Sequence, residues 1–133
     1  MVDPMGGCPA HSEFRNRSVI TALEHHPTVF VQFAAVDMEI AGMAVCFENY
    51  STFRAAPFLN IHDLAVLPAY RGMGLATALL NRVILEGINR CCAKVTLEVR
   101  DDNHLARSLY AKNGFQSCHP SMEYLTRDLT HFI

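Results

Sequence analysis

The run Leu64-Ala-Val-Leu-Pro-Ala-Tyr-Arg-Gly-Met-Gly-Leu-Ala-Thr-Ala-Leu-Leu80 narrows the folds open to this chain more than any other stretch. An apolar strand ends at Pro68, and a turn spaced by Gly72 and Gly74 feeds straight into an amphipathic helix. Glycines at such a joint leave main-chain N–H groups bare at a helix start. With the positive end of the helix dipole, those groups form a receiver for a phosphorylated ligand. A strand tied to the next strand through a helix also requires a parallel pair with a right-handed crossover.

The pattern around this run predicts a mixed α/β sheet. Residues 1–11, with two prolines and two glycines, read as irregular; Ser12 then opens a helix that Pro27 closes after His25. Thr28–Val36 and Ile40–Phe47 are apolar runs separated by Asp37-Met-Glu39, a hairpin signal. Asn49–Pro57 reads as a loop and Phe58–Val66 as a third strand. From Gly72 to Asn89, Leu75, Ala76, Leu79, Leu80, Val83, Ile84 and Ile88 recur at helical spacing. Lys94–Val99 alternates as a strand, Asp101-Asp-Asn103 caps a helix stopped by Gly114, and Met122–Leu129 reads as a final strand. Most pairs in this sheet are expected to be antiparallel, with helices on both faces and one parallel pair.

At 133 residues the chain is expected to form a single domain, 1–133. A net charge of −2 argues against a nucleic-acid surface, which needs a basic excess. No apolar run reaches the ~18 residues of a membrane span, and the start lacks the basic-then-apolar order of a signal peptide. Five cysteines, an odd number without framework spacing, read as free thiols in a reducing cytoplasm. The seven histidines show no metal-ligand spacing, so no metal is expected.

Three readings of Arg71-Gly-Met-Gly-Leu-Ala76 compete: a plain tight turn, a dinucleotide site, and a coenzyme A diphosphate site. The dinucleotide reading is weakened by Thr77, where a third glycine should stand, and by the hairpin upstream. A P-loop is excluded, because no Gly-Lys-Ser/Thr follows. Arg71, Gly74 and Ala76 match Arg/Gln-x-x-Gly-x-Gly/Ala, after a strand ending in Val66-Leu-Pro68. Downstream, Asn103-His-Leu-Ala-Arg-Ser-Leu-Tyr110-Ala-Lys-Asn-Gly114-Phe115 matches Asn-x-x-Ala-x-x-Leu-Tyr-x-x-x-Gly-Phe. With both motifs, residues 58–116 resemble the GNAT superfamily of acetyl-CoA-dependent N-acetyltransferases. The diamine (spermidine/spermine-type) branch is closest in appearance, through Asn49-Tyr-Ser-Thr-Phe53 and Asp63-Leu-Ala-Val66.

The resemblance implies a GNAT-like fold whose parallel strands splay apart, and acetyl-CoA as cofactor. It implies that the backbone of Leu64, Ala65 and Val66 pairs with the pantetheine arm. The diphosphate would sit against Arg71, Gly72, Met73, Gly74, Leu75, Ala76 and Thr77, and Asn103 would contact the cofactor. The family's N-terminal strand and helix are expected to be absent ahead of Ser12. Thr28–Val36 would then be an exposed edge strand that a second copy could cover, giving a homodimer.

Transfer of an acetyl group to an amine needs a polarised carbonyl, a proton sink and a proton for the departing thiolate. Tyr110, which the resemblance puts beside the sulfur, is the expected acid; it equally fits a core aromatic at helical spacing. A backbone N–H near Leu64 or Ala65 would polarise the carbonyl. For the base, His62, Asp63, Glu98 and water stay open. Simple alternation puts His62 and Asp63 on opposite faces, so that only one meets the acceptor. The diamine branch carries Glu-Asp where this chain has His62-Asp63. An imidazole can take a proton near neutrality but offers no fixed negative charge to a polyamine. The leading expectation is direct acetyl transfer, in a ternary complex, to a primary amine of a small molecule or an exposed protein amine. The alternatives are a non-catalytic acyl-CoA-binding or regulatory domain and a nicotinamide dinucleotide enzyme.

Overall fold

The computed structural model describes residues 12–130; the irregular segment expected over residues 1–11 lies outside them. Residues Thr28–Gln116 form one compact unit, and the segments on either side of it cluster separately. Helix α1 (Ser12–His25) belongs to the flanking segments and has the bounds read from the sequence.

The central unit holds a four-stranded sheet in the order β1 (Val29–Val36), β2 (Glu39–Ser51), β3 (Ala56–Val66), β4 (Val95–Leu97). The first three strands pair antiparallel, and β3 pairs with β4 in parallel. Asp37 and Met38, with φ of 50° and 72°, make the two-residue turn between β1 and β2, since Val36 pairs with Glu39. Two left-handed residues give a turn whose twist matches that of the flanking strands.

Three expectations change. The loop expected at Asn49–Pro57 is mostly strand, because Tyr50 pairs with Pro57 and Ser51 with Ala56; only Thr52–Ala55 turn. A polar sequence extends the ladder here because its partner is already held in register. The strand expected over Lys94–Val99 contracts to Val95–Leu97, the three residues that find partners in Leu59–Ile61. The final strand expected at Met122–Leu129 is absent. Residues 121–129 carry no regular structure, and Met122, Tyr124, Leu125 and Leu129 are exposed. Apolar alternation makes a strand only where a neighbouring edge accepts its hydrogen bonds.

One face of the sheet is buried. Ala44 and Cys46 of β2, Leu59 and Ile61 of β3, and Leu79, Leu80 and Val83 of helix α2 (Leu75–Asn89) form the core. Leu109 and Tyr110 of α3 (His104–Lys112) pack against the same cluster. Burial pushes the Cys46 thiol up to about 11, so it behaves as a small apolar group. At the far end of α2, Arg90 donates to Glu86 (2.8 Å) and Glu48 (2.9 Å) and lies over the Phe30 ring, tying the helix to β2 and β1.

Candidate active site

The glycine turn has the geometry that its residue types require. Pro68–Tyr70 is a short 3-10 turn; Gly72 and Gly74 then take φ of 80° and 78°, and Gly74 is the N-cap of α2. The helix therefore begins at Leu75 rather than Gly72, because left-handed residues cannot continue a right-handed helix. A Cβ on either glycine would meet nothing within 4 Å, so their freedom serves the turn and the open space beside it.

No side chain caps this helix start, and the first backbone bond into the helix runs from the Ala78 N–H to the Gly74 carbonyl at 3.1 Å. The N–H groups of Leu75, Ala76 and Thr77 thus face outward without an intrahelical acceptor. Met73 is exposed beside them. The Arg71 Nε donates to the Val66 carbonyl at 3.1 Å, which anchors this cation at the strand end near the helix mouth. These features suit a diphosphate: uncapped amides, room for close main-chain approach, and a cation at the rim.

The parallel ladder stops at Ile61 and Leu97, while β3 runs on to Val66. Leu64, Ala65 and Val66 pair with Ala44, Met43 and Gly42 on one side and, among the described residues, with no strand on the other. The strands therefore part where the sequence expected a splay, leaving a β3 edge that an extended ligand can join. Gly42 was not singled out in the sequence. A Cβ there would lie 2.9 Å from the Ala65 carbonyl oxygen and 3.3 Å from the Leu79 and Val66 side chains. The signal was a glycine inside an otherwise apolar strand.

The register corrects one expectation. Cys46 pairs with Ile61 but Val45 with Asp63, so His62 is the extra residue of a bulge. The His62 ring meets the Phe47 ring edge-on at 5.7 Å and so lies on the Phe47 face of the sheet. Val45 shares that face with Phe47, and its partner Asp63 does too. His62 and Asp63 thus project to the same side, against simple alternation. Both are exposed, and Glu98 lies on this face as well, held by the Asn60 amide at 3.0 Å.

Tyr110 is half-buried, and burial raises its phenol above the ordinary value, which keeps the proton on the oxygen. Its setting follows from the end of α3. The Phe115 N–H bonds to the Tyr110 carbonyl (3.0 Å) and the Gly114 N–H to the Ala111 carbonyl (3.1 Å), with Gly114 at φ 89°. This paired closure brings the Phe115 ring to 5.9 Å from Tyr110. The Gly-Phe that ends the second motif therefore sets the tyrosine's surroundings. Asn103 is the N-cap of α3, its side chain accepting the Ala106 N–H at 3.2 Å.

A parting parallel pair, an uncapped glycine mouth and a half-buried phenol on the following helix define an acyl-coenzyme-binding α/β class. Comparison with known proteins then fixes the family. The family described as "Acetyltransferase (GNAT) family" matches residues 5–115. The curated protein "Acetyltransferase SG1711" of Sodalis glossinidius (strain morsitans) is 38% identical over 95 residues, 71% of this chain and 61% of that protein. This chain thus spans under two thirds of that relative's length. The structure of AAC(6')-Iy in complex with the bisubstrate analog CoA-S-monomethyl-acetylneamine aligns with a TM-score of 0.74 at 20% identity. That alignment covers 90% of this chain and 84% of that one. The ribosomal-protein-alanine N-acetyltransferase of Brucella melitensis biovar Abortus 2308 aligns with a TM-score of 0.72 at 18% identity, over 84% and 80%. The chain belongs to the acetyltransferase (GNAT) family, and its mixed sheet has that family's fold.

Proposed function

We propose that this chain is an acetyl-CoA-dependent N-acetyltransferase that moves an acetyl group directly to a primary amine in a ternary complex. The reading rests chiefly on the unpaired β3 edge beyond Ile61, which lies in the same unit as the uncapped mouth of α2. Acetyl-CoA would supply an acyl group activated as a thioester. The amides of Gly72 through Thr77, with Arg71, would hold the diphosphate, and the edge of Leu64, Ala65 and Val66 would bind the extended arm. Asn103 is assigned a second, cofactor-side contact beside its capping role. A backbone N–H at Leu64 or Ala65 polarises the acetyl carbonyl.

Tyr110 holds a proton at Oη for the departing sulfur, a role supported by its half-buried place on α3 beside the Phe115 ring. His62 accepts a proton from the acceptor amine. Its site at the bulge, one residue past the last paired residue of β3 against β4, supports that choice. The acceptor is a small-molecule amine or an exposed protein amine, and the chain works in the cytoplasm. We further infer a homodimer, because among the described residues β1 has a strand on one side only and Phe33 on it is 51% exposed. The deciding test is thiol release from acetyl-CoA with a panel of amines, alongside calorimetric titration with acetyl-CoA and with NADH. Amine-dependent thiol release supports the transferase. Tight acetyl-CoA binding with no turnover on any amine supports a non-catalytic acyl-CoA-binding domain.

A further inference from the structure

The Gly72–Gly74 turn is strung between two anchored ends. Among the described residues, the N–H groups of Gly72, Met73 and Gly74 meet no backbone acceptor, and both glycines are left-handed. Nothing lies within 4 Å of where a Cβ would stand on either glycine, so packing does not confine them. Glycine visits left- and right-handed states with similar ease, which leaves such a segment to be ordered from outside. Downstream, the bond from the Ala78 N–H to the Gly74 carbonyl fixes it to α2.

Upstream, the anchoring runs through Tyr70. The Leu67 N–H donates to the Ala41 carbonyl at 2.8 Å, and the Tyr70 N–H donates to the Leu67 carbonyl at 2.9 Å. The Tyr70 hydroxyl then donates to the Glu39 Oε2 at 3.1 Å, across 31 residues of sequence. Glu39 opens β2 opposite Val36, so the ladder holds its backbone at the foot of the β1–β2 turn. Glu39 makes no ion pair among the described residues, which leaves its carboxylate to the phenol. Arg71 has a second anchor on the Val66 carbonyl, but its guanidinium is already assigned to the ligand. The Tyr70–Glu39 bond is therefore a side-chain tie on this turn that has no part in the ligand contacts assigned above.

We propose that this bond is a latch that fixes the path of the Gly72–Gly74 turn before any ligand arrives. Tyr70 and Glu39 are then positioning residues for the coenzyme diphosphate. The proposal rests on the transferase reading and deepens it, since it says how a glycine turn without its own N–H bonds is kept ready. A turn ordered in advance loses less conformational freedom on binding, and that difference appears as affinity. The latch also ties the coenzyme mouth to the hairpin that carries the edge strand β1.

The test pairs 15N relaxation of the unliganded protein with calorimetric titration by acetyl-CoA and by S-acetylpantetheine, which lacks the diphosphate. Tyr70→Phe keeps the ring and removes the donor; Glu39→Met keeps the length and removes the acceptor. Each should loosen the Gly72 and Gly74 amides, leave the buried Gly87 amide unchanged, and weaken acetyl-CoA about fivefold. S-acetylpantetheine should bind all forms equally, and the double variant should be no weaker than either single one. Glu39→Gln keeps an oxygen acceptor and should retain most of the affinity. Unmoved glycine amides, unchanged acetyl-CoA affinity, or equal weakening of both ligands overturns the proposal. If the natural protein binds no acetyl-CoA while Tyr70→Phe still loosens both glycines, the transferase reading fails and the latch stands.

Discussion

The two halves of the site are built from different materials. The proposed coenzyme side is main chain: two left-handed glycines, uncapped helix amides and a strand edge without a neighbour among the described residues. The proposed acceptor side is side chains: His62 on a bulge, Asp63 beside it, and Glu98 held by Asn60. Main-chain recognition needs only that the backbone adopt a particular path, so many sequences can supply it provided the glycines stay. Side-chain recognition depends on which face each residue reaches, and one bulge redirects it. On the proposed reading, the coenzyme side therefore tolerates sequence change better than the acceptor side does.

The hardest blow to the main-chain half is Gly74→Glu, which puts a β-carbon on a left-handed residue and a negative charge against the diphosphate. Like charges so placed cost several kcal/mol, so calorimetry should find acetyl-CoA affinity lower by a hundredfold or more, to order of magnitude. Normal affinity would mean that the diphosphate binds elsewhere.

Tyr110→Phe keeps the ring and its packing on Phe115 but removes the acid, and should lower kcat by about a hundredfold with little change in KM for acetyl-CoA. The same variant gives a stability test. Because the folded-state pKa of Tyr110 is raised by burial, its contribution is present below the ordinary phenol pKa and is lost as pH rises above it. Alkaline unfolding should therefore come at higher pH for Tyr110→Phe than for the natural protein. An identical alkaline midpoint would show that the phenol is solvated.

Gly42→Ala probes the frame beneath the coenzyme edge. The added methyl meets a carbonyl oxygen at 2.9 Å, so denaturant unfolding should show a loss of about 1–3 kcal/mol. On the acceptor side, His62→Asn should lower kcat by roughly tenfold and leave acetyl-CoA affinity intact. If His62→Asn instead weakened coenzyme binding, the division between the two halves would fail.

The glycine turn, helix α2, the hairpin of β1 and β2, and the capped helix bearing Tyr110 were all legible in the sequence. Each follows from local chemistry: helical spacing of apolar residues, a left-handed φ that glycine tolerates, and an asparagine side chain reaching the Ala106 N–H. The shared face of His62 and Asp63 was not legible, because a bulge exists only relative to a partner strand. The Asn60–Glu98 bridge joins residues far apart in sequence and depends on the parallel register. Gly42 looked like any strand glycine until Ala65 and Leu79 lay beside it. Met122–Leu129 had the composition of a strand but carries no regular structure.

The amino-acid order alone thus determined where the backbone turns and where helices begin and stop, and its two motifs pointed to the family. Those outcomes rest on torsional limits and contacts within a few residues. Tertiary structure decided where β3 and β4 part, which polar side chains share a face, and which glycine is crowded. Strand register is set by pairing energies between distant segments, and a slip of one residue exchanges the two faces.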